Sequence, residues 1–185
     1  MPVQIGAKLD SGFDDPLGML RDCHRRIERF LSILCRVAER REAGALTGEE
    51  RHAVESALNY FREGGRRHNA DEEESIFPRL RQASADGKMA AAITEIAELE
   101  DEHREAAALH SLVERLYSAW MVSGALSDGE RERLRLSTAR LARLYAGHIE
   151  VEETRVFPLA ARLLDRETIA AVGSEFRTRR ALPVA

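Results

Sequence analysis

Apolar residues recur at alternating steps of three and four positions along four stretches of the chain, a period typical of amphipathic helices. The first of these helices is predicted to begin at Asp14-Asp15-Pro16, an acidic cap followed by proline at the first helical position, and to run to about Ala43. The core-facing positions of the four stretches are Leu17, Leu20, His24, Ile27, Leu31, Leu34 and Ala38; Val54, Leu58, Phe61, Gly65, His68, Glu72 and Ile76; Ile96, Leu99, His103, Ala106, His110, Val113, Tyr117 and Trp120; and Leu134, Thr138, Leu141, Tyr145, His148, Glu152 and Val156. Each series contains at least one histidine, which the apolar pattern alone does not explain.

Loop and capping signals separate these helices. Two capping boxes, Thr47 with Glu50 and Ser127 with Glu130, predict the starts of the second and fourth helices, and residues 84–87 form a predicted loop. A short fifth helix is predicted from about Asp165 to residue 176. Long helices joined by short loops are antiparallel neighbours, so the pattern predicts an all-α, up-down-up-down four-helix bundle with a short C-terminal helix.

The bundle is predicted to occupy residues 14–164, between an N-terminal arm at 1–13 and a C-terminal segment at 165–185 whose end, from Arg177, is expected to be loose. Hairpins 14–82 and 88–164 repeat each other. The core-facing positions of the second and fourth helices match at an offset of 80 residues, and Asp22-Cys23-His24-Arg25 matches Asp101-Glu102-His103-Arg104 at an offset of 79. Residues matched by this duplication are expected to face each other around an approximate two-fold axis.

Composition supports a helical protein, because Ala, Leu, Glu and Arg make up about half of the chain and β-branched residues are few. The formal net charge is −4 with both signs interleaved, so we expect neither nucleic acid nor a membrane as a partner. There is no apolar run of the roughly 18 residues that span a bilayer, and the N-terminus lacks an export signal. The two cysteines, Cys23 and Cys35, lie too far apart on one helix to form a disulfide. These features predict a cytoplasmic protein.

Six polar residues occupy core-facing positions, where burial costs free energy unless the group is hydrogen-bonded or binds a ligand. They are His24, His68, Glu72, His103, His148 and Glu152. In the second and fourth helices a histidine precedes a glutamate by four residues, which stacks both side chains on one helix face. Imidazole and carboxylate groups suit iron, manganese or zinc. The alternative is a buried polar network without metal. Six aligned polar residues are more than a purely structural core is expected to contain.

The two glutamates belong to one longer motif. His-x-x-x-Glu-Glu-x-x-x-Phe-Pro begins at His68 and again at His148, whereas the glutamates that follow His24 and His110 at the same spacing lie beside the core-facing positions. By the order, spacing and duplication of these motifs, residues 14–164 resemble the hemerythrin-like proteins, the HHE cation-binding family of non-haem di-iron bundles.

The resemblance implies two Fe ions joined by an oxo or hydroxo bridge, with Zn or Mn as possible substitutes. His24 and His68 would be terminal ligands of one iron, and His103 and His148 of the other. Glu72 and Glu152 would be the bridging carboxylates.

The chain departs from the pattern of the oxygen-carrying hemerythrins that it resembles. That pattern has a fifth histidine on the third helix and a bridging aspartate on the fourth. Here Ala107 lies one turn after His103, and the fourth-helix carboxylate is Glu152. Both irons would then keep an open position. We therefore expect a protein that binds or senses a small molecule, namely oxygen, nitric oxide or peroxide, or that reports the iron level. A di-iron redox enzyme consuming peroxide and an oxygen carrier or iron store are the alternatives, and a homodimer or a protein partner is left open.

Three residues one or two turns from the predicted ligands have open roles. Tyr145 and Gly65 occupy matched positions, so we expect a phenol ring to cover one side of the cluster and the other side to be open. The tyrosine either packs over the glycine or forms a hydrogen bond to an iron ligand. His110 is expected to be a core histidine, because its repeat partner is Leu31.

The remaining candidates have simpler expectations. Cys23 points away from His24 around the helix and is expected to pack rather than bind metal. His52 lies off the core-facing positions and is expected to be solvated. The Phe-Pro pairs at 77–78 and 157–158 are expected to cover the apolar end of the bundle and to bend or end their helices.

Overall fold

The computed structural model describes residues 10–40, 44–83 and 90–181, and within these ranges the regular elements are all helices. They are α1 (Pro16–Ala38); α2 (48–83, comprising Gly48–Tyr60, Phe61–Gly65, Arg66–Asp71, Glu72–Ile76 and Phe77–Ala83); α3 (Ala90–Ser123); α4 (128–163, comprising Asp128–Val151, Glu152–Val156 and Phe157–Leu163); and α5 (Arg166–Arg179). The prediction of an all-helical chain with a short fifth helix is confirmed.

The helices begin where the capping signals predict. In α2 the Thr47 hydroxyl accepts from the Glu50 backbone N–H while the Glu50 carboxylate accepts from the Thr47 N–H, and Ser127 and Glu130 do the same in α4. The α1 cap is the Asp15 carboxylate, which accepts from the backbone N–H two residues after Pro16. Each box satisfies backbone donors that a helix start would otherwise leave unpaired.

Helices α1 and α3 each pack against both α2 and α4, and the predicted core-facing positions of the four helices are buried except for His110, which is partly buried. Two apolar clusters fill the interior. One contains Leu34, Tyr117 and Trp120, and the other contains Leu20, Phe77 and Phe176. A layer of polar side chains crosses the bundle between these clusters, at the level of His24 on α1.

Both α2 and α4 widen into a π-helical turn immediately before a Phe-Pro pair. The turns are Glu72–Ile76, before Pro78, and Glu152–Val156, before Pro158. A proline in a helix donates no backbone hydrogen bond and clashes with the carbonyl four residues earlier, which here lies in the π turn. The wider turn accommodates the proline, so the helices do not end there but continue to Ala83 and Leu163.

Two predicted boundaries are wrong. Helix α1 ends at Ala38, not near Ala43, and residues 41–43 lie outside the described ranges. Helix α5 continues past residue 176 to Arg179, and the expected loose tail is held at its start, because Arg179 and Arg180 both pair with the fully buried Asp71 of α2. The arm at 1–9, the loop at 84–87 and the tail at 182–185 are also outside the described residues. No helix in the described part of the chain combines the length and the apolar character needed to cross a membrane.

Candidate metal centre

The structure brings all six predicted site residues into the polar layer between the two apolar clusters. Helix α1 supplies His24 and α3 supplies His103, while α2 and α4 each supply a histidine and a glutamate, namely His68 with Glu72 and His148 with Glu152. None of the six is more than 4% exposed. The arrangement follows from the sequence pattern, because each residue occupies a core-facing position at the same height in its helix.

The six side chains form two overlapping groups. One consists of His24, His68, Glu72 and Glu152, and the other of Glu72, His103, His148 and Glu152. Within each group, one nitrogen or oxygen atom per residue lies within 4.8 Å of the others. Ligand atoms on opposite sides of one transition-metal ion are about 4 Å apart. Each group therefore has nearly the size of a single metal site, and both glutamates belong to both groups.

Several polar atoms at the middle of this layer lack hydrogen bonds. Both carboxylate oxygens of Glu72 and of Glu152, and the Nε2 atoms of His24 and His68, are buried without a hydrogen-bond partner of acceptable geometry among the described residues. The nearest approaches are 3.1 Å between His24 Nε2 and Glu152 Oε2, and 3.4 Å both between His68 Nε2 and Glu72 Oε1 and between His148 Nε2 and Glu152 Oε1. Unpaired buried polar atoms are costly, and a bound cation would satisfy all of them at once. The residues therefore fit a metal.

Burial and neighbouring charges together set the charges of the layer, and the Glu152 carboxylate raises the pKa of His148 against the effect of burial. Burial and the neighbouring His24 hold the pKa of His68 well below its usual value, and burial and His148 lower the pKa of His103. Neutral imidazole is the form that binds metal. Burial and the nearby Glu152 carboxylate raise the pKa of Glu72 well above its usual value. Two carboxylates this close resist being ionised together, and a cation between them removes that resistance.

A second set of carboxylates holds the far side of three of the histidine rings. Glu153 Oε1 lies 2.8 Å from His24 Nδ1 and Glu73 Oε1 lies 2.7 Å from His103 Nδ1. Glu102 Oε2 lies 2.8 Å from Nδ1 of the α4 histidine, His148. Such partners fix the ring orientation and direct the other nitrogen, Nε2, toward the metal.

Sequence reasoning missed these three residues. Glu73 and Glu153 are the second glutamates of the repeated Glu-Glu pair, so the duplication itself was a usable signal. Glu102 had no such signal, because the matching residue in the first hairpin is Cys23. The fourth histidine ring, His68, has no carboxylate at Nδ1; this atom is buried and lacks a hydrogen-bond partner in the described part of the chain.

The phenylalanines of the repeated motif contact the layer from one side. The Phe157 ring stacks on His24 with 5.4 Å between centroids, and Phe77 is nearly parallel to His103 at 6.3 Å. Both rings are fully buried. They limit the rotation of these two imidazoles and exclude water from that side of the layer.

A cavity of about 240 Å³ lies one helix turn from the layer, and its lining contains none of the six layer residues. Gly65 and Tyr145 both line it, one turn before His68 and His148. The expected division into an open side and a covered side is therefore wrong. Matched residues near a two-fold axis face the same space, and here Gly65 and Tyr145 line one cavity.

Tyr145 forms neither of the contacts considered from the sequence. Its hydroxyl lies 3.1 Å from Nε2 of His110, which also lines the cavity. Burial lowers the pKa of His110 to about 4, so its ring is neutral near pH 7 when it shares this hydrogen bond with the phenol. His110 packs against Phe61, with 4.3 Å between ring centroids, and is a cavity residue rather than a fully enclosed core histidine.

The two other expectations agree with the structure. Cys23 is buried and belongs to neither ligand group, and its Sγ lies 3.7 Å from an Arg26 nitrogen. His52 is exposed on α2.

Comparison with known proteins yields two matches. The model of the hemerythrin HHE cation-binding domain matches residues 15–160. A protein of Haemophilus influenzae, described only as uncharacterized, is 25% identical over 173 residues, which cover 91% of each chain. The family match and the buried histidine and glutamate side chains together indicate metal binding, with iron as the metal that the family suggests. With most of its length matched, from the start of α1 to the last turn of α4, the chain belongs to the hemerythrin HHE cation-binding domain family.

Proposed function

We propose that this protein holds a dinuclear iron centre within an up-down-up-down bundle. His24 and His68 are terminal ligands at one position, His103 and His148 at the other, and both positions share two glutamates. The observation that carries the proposal is the membership of Glu72 and Glu152 in both ligand groups. When bound, the iron pair supplies open coordination positions and one-electron chemistry; the chain supplies its ligands, orientation and a dry surrounding.

The antiparallel part of the proposal is supported by contacts at both ends of α2 and α3. Arg51, near the start of α2, donates to the carbonyl of Met121 near the end of α3. At the other end Arg81 pairs with Glu100. Residues 14–164 are the proposed metal-binding unit, and a cytoplasmic location is supported by the two free cysteines.

We further propose a small diatomic molecule or peroxide as the ligand, entering through the cavity beside the layer. At about 240 Å³ the cavity is smaller than typical sites for organic substrates. Its polar lining includes Asn69 Oδ1, which is buried without a hydrogen-bond partner among the described residues, and the Tyr145 hydroxyl held by His110. These groups can orient a small polar molecule.

A redox enzyme that consumes peroxide is the second candidate, favoured by the position of Tyr145 and His110 beside the layer. The Tyr145 hydroxyl lies 3.1 Å from His110 Nε2, so two groups that can hold a proton lie near the layer, with Tyr145 one turn from the His148 ligand. Repeated consumption of peroxide by the wild type, abolished in His68→Ala, would favour the enzyme. A single stoichiometric spectral change would favour the sensor.

Metal content tests the central proposal. Protein purified from iron-supplied cells is expected to contain two metals per chain by elemental analysis. A constant value of one metal per chain, or of none in a fully folded protein, would contradict the dinuclear centre. Zinc in place of iron would not, because the same ligands accept zinc.

Azide binding tests the proposed route. A Cβ atom at Gly65 would lie 3.6 Å from the Phe61 ring, an ordinary contact, so this position accepts a side chain without moving the backbone. Gly65→Leu is expected to slow azide binding, measured by absorbance, with metal content unchanged. The matched control is Gly147→Leu on α4, a helical position with open space around it. Equal rates in the wild type and Gly65→Leu would mean that ligands enter elsewhere.

A further inference from the structure

Three of the four layer histidines have a carboxylate behind them and one does not. The pairs are Glu153 with His24, Glu73 with His103 and Glu102 with His148, at 2.7 to 2.8 Å. Within the described residues, His68 Nδ1 is buried and has no hydrogen-bond partner. The first ligand group therefore has one outer carboxylate, and the second has two.

The duplication shows the origin of this difference. Glu102 precedes His103 on α3 and reaches the histidine of the neighbouring helix α4. In the first hairpin the matching residue, before His24 on α1, is Cys23. Its thiol is buried, and its Sγ lies 3.7 Å from an Arg26 nitrogen. A thiol is a weak hydrogen-bonding group and cannot replace a carboxylate behind an imidazole.

We propose that the two positions of the centre bind metal unequally and that Glu102 causes the difference. This inference rests on the proposed dinuclear centre. The position of His103 and His148 fills first and holds its metal. The position of His24 and His68 fills second and releases its metal first. A carboxylate behind a ligand histidine increases the basicity of the ring and fixes its orientation, and the loss of such a partner typically weakens metal binding about 10–100-fold.

Unequal positions give the centre a specific use. One metal remains bound and organises the shared glutamates Glu72 and Glu152, while occupancy of the second position follows the metal concentration. A centre of this kind reports metal level, and the reversible step takes place at His68. The exchanging species is a divalent transition-metal ion that accepts imidazole and carboxylate ligands.

The test is an anaerobic Co²⁺ titration of the metal-free protein, followed by absorbance against a competing chelator. The wild type is expected to bind two Co²⁺ in two steps. Mutual repulsion of two cations also separates the steps, so the variants decide. Glu102→Gln is expected to weaken the first step about 10–100-fold and bring the two steps together. The control is Glu105→Gln on the same helix, whose carboxylate is 41% exposed, compared with 40% for Glu102, and pairs with Arg140 away from the layer.

Two histidine variants assign the steps. His68→Ala is expected to keep the tight Co²⁺-binding step and lose the weak one. His148→Ala is expected to keep the weak step and lose the tight one. Circular dichroism checks that each variant remains helical, and Glu102→Gln alters a partly exposed residue and so leaves the core intact. Two Co²⁺ steps that are the same in the wild type, Glu102→Gln and Glu105→Gln would overturn the inequality and leave the dinuclear centre standing. A wild-type capacity of one Co²⁺ or none would instead contradict the proposed function.

Discussion

The two hairpins carry the same inner side chains in different surroundings. His24, His68 and Glu72 in the first match His103, His148 and Glu152 in the second, and all six are buried at one level. Among the positions around them where the match fails, the first hairpin has Cys23, Leu31, Gly65 and Asp71, and the second has Glu102, His110, Tyr145 and Val151. The comparison teaches that a duplicated bundle can keep the six polar side chains of its core layer while residues around them diverge.

Removing one of the two matched glutamates should have the largest effect, because each of them belongs to both ligand groups. Glu72→Ala and Glu152→Ala are each expected to lose both metals, whereas His24→Ala should weaken mainly one position. Elemental analysis after dialysis measures the difference. The thermal midpoint should fall with metal content, since metal bound only to the folded state stabilises it. A full metal equivalent retained by each glutamate variant would make the glutamates terminal rather than bridging ligands.

The next effect concerns Asp71, whose match in the second hairpin is Val151. The Asp71 carboxylate is fully buried and pairs with Arg179 and Arg180, which holds α5 on the bundle. Asp71→Val should lower the free energy of unfolding by about 3–5 kcal/mol, because two partly buried guanidinium groups lose their partner. Denaturation by urea measures it. The control is Glu74→Gln, at a carboxylate that is 65% exposed and also pairs with Arg179, with an expected change of less than about 1 kcal/mol.

His110 should make the free energy of unfolding sensitive to acid. Its pKa is lowered by burial to about 4 in the folded chain, against 6.5 when unfolded. Between these values the unfolded chain binds more protons, so this contribution to stability is complete above about pH 6.5 and is lost as the pH falls toward 4. His110→Leu places at position 110 the residue type of the matched position 31. It should reduce the acid-induced loss in the free energy of unfolding by about 2–3 kcal/mol. Urea denaturation of both proteins at pH 4.5 and 7.5 measures it, and equal pH dependence would refute it.

The smallest expected effect is at Tyr145. Tyr145→Phe removes its hydrogen bond to His110 and should cost about 0.5–1.5 kcal/mol in the free energy of unfolding, with metal content unchanged. In the double variant Tyr145→Phe with His110→Leu, the two costs should be less than additive, because both single changes remove the same bond. Full additivity in urea denaturation would mean that the bond does not contribute.

Much of this protein was determined by its sequence alone. Helix starts follow from local capping, as at Thr47 and Ser127, and burial follows from a period of three to four residues, because both depend on neighbours within a turn or two. The same periodicity places a histidine on each helix and a glutamate on two of them at matched heights. The duplicated motif then identifies the six residues that the fold brings together.

Tertiary structure alone decided which side chains touch across helices. Glu102 reaches His148 from the neighbouring helix, His110 shares a hydrogen bond with Tyr145, and Asp71 pairs with residues more than 100 positions away. Such contacts depend on the spacing and rotation of packed helices, which local periodicity does not specify. The shared cavity has the same origin, because Gly65 and Tyr145 lie on different helices and meet only where the two faces pack.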